Sequence, residues 1–413
     1  MTLHDGIAAL EQQRFTDAET LFRQFVEDPN NLEQGATMLL FALIWQNKID
    51  DIHALVKDSE HWRRYQSALY DALMHFAKQN RFDVIITLSK HLAPKHVFIR
   101  AIIEFITGCA KAGPGDTNAA APHFQNAYAI THDSEAPLAL IENLEHLFKA
   151  GWNVEDDAFV ARVMNDEKLN AKKVGLLVEH DILAISVQPA DKQDFVIYSA
   201  CEEKYVDVFV EAEVLSLDAL GQARIFHLNI IGGSQACVGK IDAIRARLQH
   251  VTLNYTIERA PQPCSTTYLA CSRFVNALSI MDIYDQDLLI SDVDIVFFAD
   301  VNRVASCMQG HDVGCMFFEN TLPWLRHFAT EVYVKNNPQG RQYLMALGNY
   351  CLKKLEQNRY WTLDQMAMYC IANAFKRMGQ KLSLYDFRGQ GVVFHEIQPQ
   401  MDARLVRNLT RFE

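Results

Sequence analysis

The 413 residues are too many for one ordinary core and predict two or three domains. About half of them are hydrophobic and 22% are charged, the make-up of a globular chain without a low-complexity tail. The formal net charge of −12 excludes a generic nucleic-acid binder, which needs excess positive charge over its footprint.

The chain opens Met1-Thr2-Leu3-His4-Asp5, with no basic region followed by an apolar run, so no signal peptide is expected. No stretch of about 20 uncharged apolar residues is present, so no transmembrane segment is expected and a cytoplasmic location is. The nine cysteines are scattered, odd in number and free of CxxC pairs, which predicts reduced structural thiols.

The first 180 or so residues predict helices. Phe15, Ala18, Leu21, Phe22, Phe25 and Val26 repeat at helical spacing, and Asp28-Pro29-Asn30-Asn31 breaks the run. A second helix is expected from about Leu32 to Trp45. Trp62, Tyr65, Leu69, Leu73 and Phe76 mark a third, and Ala120, Phe124, Ala127 and Tyr128 a later one. Arg14-Phe15-Thr16-Asp17 recurs in type as Arg81-Phe82-Asp83, 67 positions on, about twice the 34 residues of a helical-hairpin repeat. In this the region resembles degenerate tetratricopeptide repeats. A non-repetitive helical bundle would give a similar pattern.

The texture changes near residue 185, which sets expected domains of 1–185 and 186–413. Phe195–Ala200, Ala223–Ile230 and Val251–Ile257 read as strands, with helical patterns over Gln235–Leu248 and Thr266–Leu278. Strands alternating with helices predict a mainly parallel sheet covered on both faces.

The run Leu288-Leu289-Ile290-Ser291-Asp292-Val293-Asp294-Ile295-Val296-Phe297-Phe298 begins as a buried strand and is then interrupted by two carboxylates. Side chains alternate along an extended chain, so Asp292 and Asp294 point to one side and Val293 to the other. Unpaired aspartates inside an apolar strand are costly, which places them at the open carboxyl end of the sheet. Carboxylates are hard ligands suited to Mn²⁺ or Mg²⁺, and such a cation bridges protein carboxylates to a diphosphate.

The segment resembles the Asp-x-Asp motif of GT-A-fold glycosyltransferases, and the resemblance extends over roughly residues 190 to 400. It implies a GT-A-like α/β domain preceded by the all-α repeat-like domain. It also implies a nucleotide-diphosphate sugar as donor (a UDP-sugar favoured), Mn²⁺ ahead of Mg²⁺, and a glycan or protein acceptor that the helical domain is placed to bind. Tyr268-Leu269-Ala270-Cys271-Ser272-Arg273-Phe274 is similar to the helix before the motif strand in such families, with Arg273 available to neutralise diphosphate. Tyr198 and Ala200, ending the first strand of that domain, stand where such families meet base and ribose, and Tyr198 suits either a stacked base or the core.

Trp361-Thr362-Leu363-Asp364-Gln365 supplies a helix start, with Thr362 as cap and Gln365 closing a capping box. The segment also resembles one near the reaction centre of glycosyltransferases, which makes Asp364 and Gln365 candidate catalytic residues. Asp364 would be a general base in an inverting enzyme, or a partner of the donor sugar in a retaining one. The resemblance favours retention.

Near the end, Gly389-Gln390-Gly391 allows a tight backbone path to His395, a third metal ligand by the same resemblance, with Glu396 beside it. The fuller histidine-glycine-lysine pattern of some retaining families is lacking. Phe317, Phe318, Glu319, Asn320, Pro323 and Trp324 form an aromatic and polar cluster suited either to an acceptor or to a core. The rival readings are a nucleotidyltransferase, which calls for a basic phosphate loop where Cys201-Glu202-Glu203-Lys204 stands, and a scaffold with a degenerate transferase domain.

Overall fold

The computed structural model describes residues 3–57, 59–79, 81–92, 97–112, 117–132, 140, 144, 161–162, 182–260, 265–318, 322, 326–357, 363–388 and 394–396. The chain divides into two compact units, and the described strands all fall in the second. The result is a helical N-terminal half and a mixed α/β C-terminal half.

The helical unit runs α1 (Leu3–Glu11), α2 (Phe15–Phe25), α3 (Leu32–Trp45), α4 (Ile49–Lys57), α5 (Trp62–Lys78), α6 (Phe82–Leu92), α7 (Val97–Ala112) and α8 (Thr117–His132). Most of these helices bury one side, while α3 is buried nearly all round over Leu39–Ile44. In α5 the buried side is Tyr65, Ala68, Leu69, Ala72, Leu73 and Phe76, at helical spacing.

A common pattern underlies the hairpins. A buried residue on the first helix is followed 12 positions later by a buried residue on the second: Gly6 and Ala18, Leu40 and Ile52, Leu73 and Ile85, Gly108 and Ala120. The first members advance by 34, 33 and 35 residues. In the outer hairpins the glycines meet a phenylalanine 16 positions on. A Cβ would lie 2.5 Å from the Phe22 ring at Gly6 and 2.7 Å from the Phe124 ring at Gly108. Leu40 has the smaller Val56 at that position.

The second unit is built on an eight-stranded sheet of order β1-β4-β3-β2-β5-β8-β7-β9. The strands are β1 (Ile182–Ser186), β2 (Phe195–Glu202), β3 (Arg224–Ile231), β4 (Val251–Glu258), β5 (Asp287–Ser291), β7 (Val313–Phe317), β8 (His327–Val334) and β9 (Leu384–Asp386). The centre, β4-β3-β2-β5, is parallel as expected. The flanks correct the expectation of a mainly parallel sheet: β1 runs antiparallel to β4, and β8 antiparallel to both β5 and β7. Strand β1 also spans the expected domain boundary at residue 185, and pairs Ser186 with Tyr255.

On one face of the sheet Phe195, Ile197, Phe226, Leu228, Leu253 and Leu289 form the main core. It is joined by α9 (Glu211–Asp218) and α10 (Gln235–Arg245) through Val214, Leu217, Cys237 and Ile241. The other face carries α11 (Thr266–Tyr284), which packs against β2, β5, α13 (Pro338–Gln357) and α14 (Leu363–Arg377). A short helix, α12 (Asn302–Cys307), follows the carboxylate segment.

The expected run 288–298 is not one strand. After Ser291 the chain turns, and β6 (Ile295–Phe297) leaves the large sheet to pair antiparallel with β10 (Phe394–Glu396). Among the described residues, no helix is long and apolar enough to cross a membrane.

Candidate functional site

Strand β5 lies between β2 and β8, and its carboxyl end opens into a cavity of about 620 Å³. The turn after it is fixed at once, because the Asp292 N–H donates to the Thr330 carbonyl of β8 over 2.9 Å. Val293 is buried with the main core, as alternation predicts, and both Asp292 and Asp294 line the cavity.

Helix α11 forms one wall. Ser265 caps it by accepting from the Tyr268 N–H at 3.1 Å. One side of this helix presents Thr266, Leu269, Ala270 and Arg273 to the cavity, the spacing of a single helical face. Arg273 is only 5% exposed and is held by two carboxylates. One guanidinium nitrogen pairs with Asp292, and the other donates to Asp364 Oδ2 at 3.2 Å. Asp364 and Gln365 enter from the first turn of α14, where the Gln365 N–H donates to Asp364 Oδ1 at 2.8 Å.

The electrostatics are lopsided. Among the described residues, Glu202, Asp292, Asp294 and Asp364 line the cavity against one lining cation, Arg273. Glu202 is itself paired with Lys204. Burial raises the Asp294 carboxyl above its ordinary range, and its own backbone N–H and Arg273 oppose the rise. Burial likewise raises Asp364, with Arg273 the main opposing influence. Among the described residues Asp294 makes no ion pair, so its charge is answered only at a distance.

Other expected site residues are placed less uniformly. Ala200 lines the cavity. Tyr198 does not: it lies two residues deeper on the same face of β2 and is fully buried, with its ring 6.1 Å from that of His227. Of the two places open to Tyr198, a base contact or the core, the structure has it in the core, one layer inside the sheet. Phe318 packs edge-on against Phe328, which lines the cavity, with centroids 5.3 Å apart. Glu319, Asn320, Pro323, Trp324, Thr362 and Gly389–Gly391 lie outside the described residues. His395 stands opposite Val296 in the β10–β6 register, and its side chain also lies outside the described residues. Among the described residues no group of three histidine, cysteine or acidic side chains is arranged to hold a metal.

The sequence reading missed one wall. After β2 the chain makes a 3₁₀ turn (Glu203–Tyr205), a π-helical turn (Val206–Val210) and then α9 as one helical run. The π turn brings Tyr205 and Phe209 together with ring centroids 5.6 Å apart and planes 32° from parallel. Both rings line the cavity. Their i, i+4 spacing just after the first strand of the parallel centre was the available signal.

No protein-family model matches the chain, and no curated protein matches it. Among solved structures, the apo form of the bifunctional glycosyltransferase WbbM is similar over 49% of this chain, at 11% sequence identity and a TM-score of 0.35. The match covers 40% of that protein's chain.

Proposed function

We propose that this chain is a divalent-cation-dependent glycosyltransferase that moves a sugar from a nucleotide-diphosphate donor to an acceptor hydroxyl. The observation that carries the reading is the convergence of Asp292 and Asp294, from one turn at the carboxyl end of a central strand, on a cavity already rich in carboxylates. Such a cavity repels a diphosphate unless a cation intervenes.

The donor set fits Mn²⁺ or Mg²⁺. Two carboxylates supply hard oxygen ligands, and such ions on nucleotides usually take their remaining ligands from phosphate and water. His395 remains a proposed further ligand. When bound, the cation would neutralise the diphosphate and stabilise the charge that develops on it as it leaves.

The chain's own residues would do the rest. Tyr205 and Phe209 offer aromatic faces on which a base or sugar ring stacks. Arg273 fixes the carboxylates of Asp292 and Asp364 relative to each other. Asp364 is buried and already accepts from Arg273 and the Gln365 backbone, an arrangement better suited to orienting a donor hydroxyl than to taking a proton. This favours the retaining alternative, with Gln365 as a second sugar contact. Glu202 in the cavity, where a nucleotidyltransferase would place a basic phosphate loop, weighs against that rival. The hairpins that repeat about every 34 residues are read as a tetratricopeptide-like array, the proposed dock for a glycan or protein acceptor.

Calorimetric titration of UDP-, GDP-, CMP- and dTDP-sugars, with and without Mn²⁺, tests the reading. Binding of one donor that requires Mn²⁺ and disappears in the Asp292→Asn, Asp294→Asn variant is expected. Absence of binding to the whole panel would overturn the assignment.

A further inference from the structure

Beneath the carboxylate turn lies a fully buried polar group that the reaction does not use. Glu213 of α9 is 0% exposed. Its Oε1 lies 3.2 Å from the Ser199 hydroxyl and 3.2 Å from the Ser291 hydroxyl, and those two hydroxyls lie 2.7 Å apart. Ser199 and Ser291 are Cα partners across β2 and β5, and Ser291 immediately precedes Asp292.

The three oxygens make three contacts, but the two serines bring only two protons. A third, carried by the carboxyl, closes the ring so that every oxygen donates once and accepts once. Burial, which pushes the Glu213 carboxyl well above its usual range, agrees with this neutral form.

One helical turn further on, Ser216 faces the same way. Its hydroxyl donates to the Glu213 carbonyl at 2.7 Å and accepts the Phe297 N–H at 2.9 Å. A single turn of α9 therefore grips residue 291 before the carboxylates and residue 297 after them. Between these grips stand Asp292 and Asp294. A two-point attachment at that spacing fixes the path of the turn, and outer supports of this kind tune how well ligating side chains hold a cation.

We propose that Glu213, as a neutral carboxylic acid, and Ser216 are positioning residues that hold the Asp292–Asp294 turn in its cation-binding shape. The proposal rests on the reading of those aspartates as cation ligands. The test is titration of the full chain with Mn²⁺ alone, followed by the electron paramagnetic resonance of free Mn²⁺, with thermal melting to verify folding. Glu213→Ala is expected to weaken Mn²⁺ binding about tenfold, and Glu213→Gln, which keeps a donor and an acceptor, to recover most of it. Should Glu213→Ala fail to fold, Ser216→Ala serves instead, with an expected loss of about threefold or more.

Wild-type affinity in a folded Glu213→Ala or Ser216→Ala chain would overturn the clamp. So would a Glu213→Gln chain as weak as Glu213→Ala, because a charge rather than a hydrogen-bond ring would then be acting. If wild type binds no Mn²⁺, or Asp294→Asn binds as wild type does, the reading of the aspartates itself falls.

Discussion

Arg273 reaches Asp292 with one guanidinium nitrogen and Asp364 with the other, so a single buried cation ties α11 to the carboxylate turn and to the start of α14. Removing it strands Asp364, whose side chain is only 7% exposed. Arg273→Gln is expected to cost about 3–5 kcal/mol in urea denaturation, the penalty for leaving a buried charge unpaired. Adding Asp364→Asn should restore much of the stability but not donor turnover. A double variant no more stable than Arg273→Gln would show that the pair is not coupled in this way.

Asp294 is the complementary case. Its carboxylate is pushed up by burial and has no ion pair among the described residues, so in the cation-free chain it works against folding. Asp294→Asn should stabilise the metal-free protein by roughly 0.5–2 kcal/mol while removing Mn²⁺-dependent donor binding. Asp292→Asn should give no such gain, because it breaks the bond to Arg273. Melting curves of both variants in chelator decide the matter, and a destabilised Asp294→Asn chain would count against it.

The aromatic wall has its own test. Phe209→Ala removes one of the two rings that line the cavity beside β2. Donor affinity should fall about tenfold, in line with roughly 1–1.5 kcal/mol for a stacked ring, with little change in Mn²⁺ affinity. Equal losses for donor and metal would mean that the ring supports the site rather than touching the ligand.

Four buried groups set opposing pH trends. Burial lowers His227 and His327 from 6.5 to about 3, and raises Glu213 and Glu331 well above 4.5. Between about pH 4.5 and 6.5 the unfolded chain holds the two histidine protons and the folded chain the two carboxyl protons, so these groups cancel. Above about pH 6.5 only the folded chain keeps protons, and stability falls as pH rises. Below about pH 4.5 the unfolded chain holds more, and stability falls as pH drops towards 3.

Among the described residues, neither carboxyl oxygen of Glu331 has a hydrogen-bond partner. Glu331→Gln should halve the decline above pH 6.5, by about 1.4 kcal/mol per pH unit. Urea midpoints at several pH values would expose an unchanged slope, which would contradict the assignment.

In the helical unit, Gly108 lies under the Phe124 ring. Gly108→Val forces overpacking there and should cost about 1–3 kcal/mol in the helical transition. Mn²⁺ and donor binding should be unaffected. Loss of donor binding in a folded variant would tie the helices to the site.

The sequence was most readable where local pattern and burial agree. The helix over Leu32–Trp45 and the strand starting at Val251 stand where periodicity put them. The carboxylate pair was legible because acid residues interrupting an apolar strand conflict with burial, and the turn after Ser291 resolves that conflict. The antiparallel flanks were not legible, since strand direction is set by long-range pairing rather than by composition. The 12-residue spacing of buried positions across the hairpins was not legible, because Gly6 and Leu40 stand at equivalent positions with unlike residues. The choice between base contact and core for Tyr198 was not legible, because position near a strand end does not give depth in the sheet. Glu213 gave no warning, since a carboxylate in an amphipathic helix ordinarily faces water.

The π turn at Val206–Val210 has a consequence for how such a protein can change over generations. It carries Phe209 and lies between Tyr205 at the cavity and Glu213 below it. Each residue of an ordinary helix turns the chain by about 100°. Loss of one codon here would convert the wide turn to a regular one and swing Tyr205 by about that angle, while Glu213 and Ser216 kept their grip. Ligand preference could then drift through a change in length, with the carboxylate turn inherited intact.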